Sequence, residues 1–115
     1  MKKRWNTGSM ITFLKQLELH GATVRSSQAG GDYDTSAITI EPEEGDPLFL
    51  CGFNCDDPVD AKDDADVEML ELSDGLDSRG GLNSSDPITC AIFGTVISAL
   101  RRAGWQVVGS MDEYF

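Results

Sequence analysis

Positive charge is nearly missing from the middle of this sequence: between residues 32 and 86 only Lys62 and Arg79 are basic, against 17 Asp and Glu. That stretch has a local net charge of -15, while residues 1–31 carry +4 and residues 87–115 carry zero, giving a total of -11. Such a field repels phosphate backbones and anionic lipid, which argues against direct nucleic-acid binding and membrane-surface binding. It attracts cations and basic protein surfaces instead.

Cysteine and histidine are also scarce. The three cysteines, Cys51, Cys55 and Cys90, form an odd set, whereas a small secreted domain held by bridges usually has an even one, so a reducing compartment is expected. No run of about 18 apolar residues is present to span a bilayer. Met1 to Arg4 lead into polar residues rather than into the apolar run of a signal peptide. The expected location is the cytoplasm. Residues 1–9, which end in Gly8-Ser9 ahead of Met10, are expected to be a disordered or cloning-derived N-terminal segment, leaving residues 10–115 as one domain.

Hydrophobic residues make up 40% of the chain, which places it among folding sequences rather than disordered ones. Met10, Phe13, Leu14 and Leu17 fall at helical spacing between Ser9, a capping residue, and Gly21. Ala22 to Ser27 reads as a strand, the 28–34 segment with Gly30-Gly31-Asp32 as a hairpin connection, and Thr35 to Glu41 as an alternating strand. After the Pro42 to Asp46 turn, Leu48 to Phe53 is a nearly continuous apolar run suited to a sheet interior. Val67 to Leu72 reads as a further strand, although Asp57-Pro58 resembles a helix start and Ala61, Ala65, Met69 and Leu72 would share a helical face. Ser73 to Ser85 is a long loop.

Asp86-Pro87 then opens a second helix, with Ile92, Val96, Ala99, Leu100 and Ala103 as its buried stripe and Gly104 as its stop. Trp105 to Val108 is the last strand, followed by a 110–115 tail. The expected architecture is α+β, a mostly antiparallel sheet of four to five strands with two helices on one face, in the order α-β-β-β-(β)-α-β. Its core is drawn from Phe13, Leu14, Leu17, Ile38, Ile40, Leu48, Leu50, Ile92, Val96, Leu100 and Val107.

No catalytic motif or nucleotide loop stands out. Cys51, Cys55, Cys90 and His20 would make a Cys3His zinc set, but only one loose pair is present where structural zinc sites use tight pairs from both halves. A Cys-His nucleophile pair lacks any marked orienting residue. Asp32-x-Asp34 and Asp64-x-Asp66-x-Glu68 offer oxygen ligands without the glycine and distal glutamate of a calcium loop. The order of elements resembles the core of PD-(D/E)xK nucleases, and Asp60-Ala61-Lys62 has their D-x-K spacing. That triplet falls in the acidic loop instead of on the third strand, and its surroundings would repel the substrate. The same order begins like a double-stranded-RNA-binding domain, which the missing basic residues exclude.

The acid itself is left as the working group. Carboxylates spaced along a surface can take the place of phosphate for a nucleic-acid-binding protein, steering association while a few buried anchors supply affinity. The expectation is a small non-enzymatic protein-binding module without cofactor, in the manner of an inhibitor or a phage or bacterial immunity or anti-defence neutraliser of a basic target. Its contact residues would be Asp32, Tyr33, Asp34, Asp56, Asp57, Asp60, Asp63, Asp64 and Asp66, with Tyr33 as an anchor. Asp112-Glu113-Tyr114-Phe115 shares this acid-plus-aromatic composition. The alternatives are a calcium- or zinc-binding or metal-dependent module, and a structural or oligomeric subunit; the oligomeric state stays open.

Overall fold

The computed structural model describes residues 3–26, 38–54, 57–58, 65–74 and 85–109. The first helix starts earlier than its apolar spacing suggests. Asn6, in an extended conformation, accepts the Ser9 N–H on its side chain at 2.8 Å, so α1 (Thr7–Lys15) is capped by Asn6 and not by Ser9. Before it, β1 (Lys3–Trp5) pairs antiparallel with β6 (Ala65–Val67).

Residues 3–9, expected to lie in a disordered or cloning-derived leader, are placed in β1, the Asn6 cap and the start of α1. Trp5 is fully buried, and a side chain of that size removes enough apolar surface from water to hold the strand in place. Its ring meets Trp105 edge to face at 6.4 Å, and Lys3 Nζ lies 4.7 Å from the Trp105 ring centre while donating to the Ala103 carbonyl at 2.8 Å.

Past α1 the chain reverses through Glu18 and His20, both in the left-handed region, and Gly21. It then enters a six-stranded sheet: β2 (Thr23–Ser26), β3 (Ile38–Glu41), β4 (Leu48–Asn54), β7 (Met69–Ser73) and β8 (Val107–Val108) in that order, with β5 (Asp57–Pro58) also on β4. All pairings are antiparallel except β7 with β8, so the sheet is mixed at one edge. The segment 65–72 is strand, with β6 and β7 separated only by Glu68, which settles the choice between helix and strand there. Residues 59–64 lie outside the described residues, as do the expected hairpin connection, most of the 73–85 loop and the 110–115 tail.

Register places Val24, Ile40 and Leu48 across from one another, then Ile38, Leu50 and Leu72, then Gly52, Leu70 and Val107. Because side chains alternate, these positions share one face; Gly52 is buried, and the others form a buried cluster with Met10 and Leu14 of α1 and the inner stripe of α2 (Pro87–Arg102). Both helices therefore cover the same side of the sheet. Gly52 lets β6 close onto it: a Cβ there would stand 2.9 Å from Val67 Cγ1.

Helix α2 opens as its sequence implies, with Asp86 accepting the Thr89 N–H at 2.9 Å and Pro87 in the first turn. Its buried stripe is wider than Ile92, Val96, Ala99 and Leu100, because Phe93 and Ile97 also face inward; Ala103, expected to be buried, is exposed. Phe13 and Leu17 pack on the core only partly buried. Among the described residues no helix is long and apolar enough to cross a membrane.

Candidate functional site

The acidic middle of the sequence meets the fold at Asn54, the last residue of β4. Its backbone pairs with Asp57 of β5, its side-chain Nδ2 donates to the Asp66 carbonyl at 2.9 Å, and its Oδ1 accepts the Glu68 N–H at 2.7 Å. One asparagine thus holds the point where the acidic segment leaves the sheet and the point where it returns. An amide suits this role because it offers a donor and an acceptor at once, where a carboxylate would only accept.

Of the nine expected contact residues, two lie within the described parts. Asp57 is placed on β5 and Asp66 on β6, and Asn54 brings their backbones together. Asp32, Tyr33, Asp34, Asp56, Asp60, Asp63 and Asp64 lie outside the described residues. Asp66 is exposed and opposite Arg4 in the β1–β6 register, with Arg4 Nη1 3.6 Å from its carboxylate. Both side chains are more than half exposed, so water and salt screen this pair and it contributes at most about 1 kcal/mol.

Not all of the acid is gathered there. Glu41 ends β3, and Glu43, Glu44 and Asp46 occupy the β3–β4 turn, at the opposite end of β4; a seven-residue strand puts about 20 Å between the two ends. Glu41 pairs with Arg25 at 2.6 Å. The turn is tied to α2: Thr89 Oγ1 accepts the Asp46 N–H at 3.1 Å and donates to the Asp86 carboxylate, also at 3.1 Å. Among the described residues, Asp57, Asp66 and Glu68 lie at the Asn54 end of β4, and Glu43, Glu44 and Asp46 at its turn end.

The thiols and the histidine are kept apart in kind. Cys51 sits on β4 on the sheet face away from the core, across from Glu71; burial, and secondarily the Glu71 charge, push its thiol up to about 11. That disfavours the thiolate a nucleophile or metal ligand needs. Cys90 is half-buried on α2 and His20 is exposed in the turn after α1, while Cys55 lies outside the described residues. Among the described residues no three His, Cys, Asp or Glu side chains are grouped to hold a metal ion.

Asn54 was not singled out by composition or periodicity. Its signal is positional: an amide residue closing an apolar strand run immediately before a dense series of aspartates. Comparisons with protein-family models, with curated proteins and with solved structures find no match for this chain.

Proposed function

We propose that this chain is a non-enzymatic protein-binding module that presents its acidic segment, at the Asn54 end of the sheet, to a basic surface on another protein. The observation that carries the reading is the Asn54 clamp, which ties both ends of a segment containing Asp56, Asp57, Asp60, Asp63, Asp64 and Asp66 to one place on a sheet. Anchoring the ends of a charged segment lowers the ordering cost of binding, which otherwise consumes much of the interaction energy of a free chain. The partner class that fits is a protein whose own function is to bind phosphate backbones, and the working role is neutralisation of that protein by occupying its basic surface.

Affinity capture from the native host at low ionic strength tests this, with the wild-type chain and an Asp60→Asn, Asp63→Asn, Asp64→Asn variant as parallel baits. The expected result is a basic protein held by the wild type, released as salt rises, and absent from the variant bait. Recovery of the same proteins on both baits, independent of salt, would remove the charge reading.

A further inference from the structure

We draw no further inference here: the strongest candidate, the sheet face turned away from both helices around Thr39, Phe49, Cys51 and Ser73, is buried or half-buried, and nothing among the described residues shows what covers it.

Discussion

Asn54 holds Glu68 from 14 residues away, accepting its backbone N–H at 2.7 Å, and the same side chain reaches the Asp66 carbonyl at 2.9 Å. Truncating it leaves two backbone groups without those partners. Asn54→Ala should lower stability by about 1–3 kcal/mol, read as a shift of the denaturant midpoint at constant slope. Hydrogen exchange at the Glu68 amide should accelerate more than at Leu72, which lies mid-strand and does not use Asn54.

Trp5 is the test of whether the first residues belong to the fold. It is fully buried and meets Trp105 edge to face, so Trp5→Ala should cost about 3–5 kcal/mol by thermal or chemical denaturation. Lys3→Ala removes an exposed hydrogen bond and the ring contact, and should cost no more than about 1 kcal/mol.

Gly45 joins the turn to α2. Its φ of 120° is one that side chains rarely adopt, and a Cβ there would stand 2.6 Å from both Asp86 Oδ2 and Thr89 Oγ1. Gly45→Ala should therefore destabilise by roughly 2 kcal/mol or more, through backbone strain and a displaced helix cap. Gly21→Ala is the comparison: its φ is also positive, but nothing lies within 4 Å of the added carbon, so strain alone operates and the loss should be smaller.

Cys51 sets a stability trend at alkaline pH. Its thiol stays protonated in the folded chain up to about 11, whereas in the unfolded chain it ionises near 9, so over that interval the folded state binds more protons. Stability should then fall as pH rises from about 9 to about 11, by on the order of 2 kcal/mol, and level off above. Cys51→Ala should flatten the slope in urea titrations at stepped pH.

Much of the architecture could be read from residue order, and the exceptions have definite causes. The Asp86-Pro87 cap, the apolar run of β4 and the alternation of Ile38 and Ile40 are local patterns, and local patterns are what periodicity reports. Trp5 escaped because its burial depends on the pairing of β1 with β6 and on Trp105, far along the chain and bearing no periodic relation to it. The parallel pairing of β8 with β7 follows from α2 crossing back over the sheet, a tertiary event.

The candidate site was legible in part. Acid density marks the segment, yet only the fold shows that Glu43, Glu44 and Asp46 sit at the other end of β4 from Asp57 and Asp66. One-dimensional counting cannot separate charges that a single strand holds apart.

The association rate of the captured basic protein with this chain, measured by stopped flow across ionic strength from about 0.05 to 0.5 M, tests the central claim most directly. The account predicts a rate that falls at least about tenfold over that range for the wild type and a much shallower fall for the Asp60→Asn, Asp63→Asn, Asp64→Asn variant. Equal, salt-independent rates for the two would contradict it.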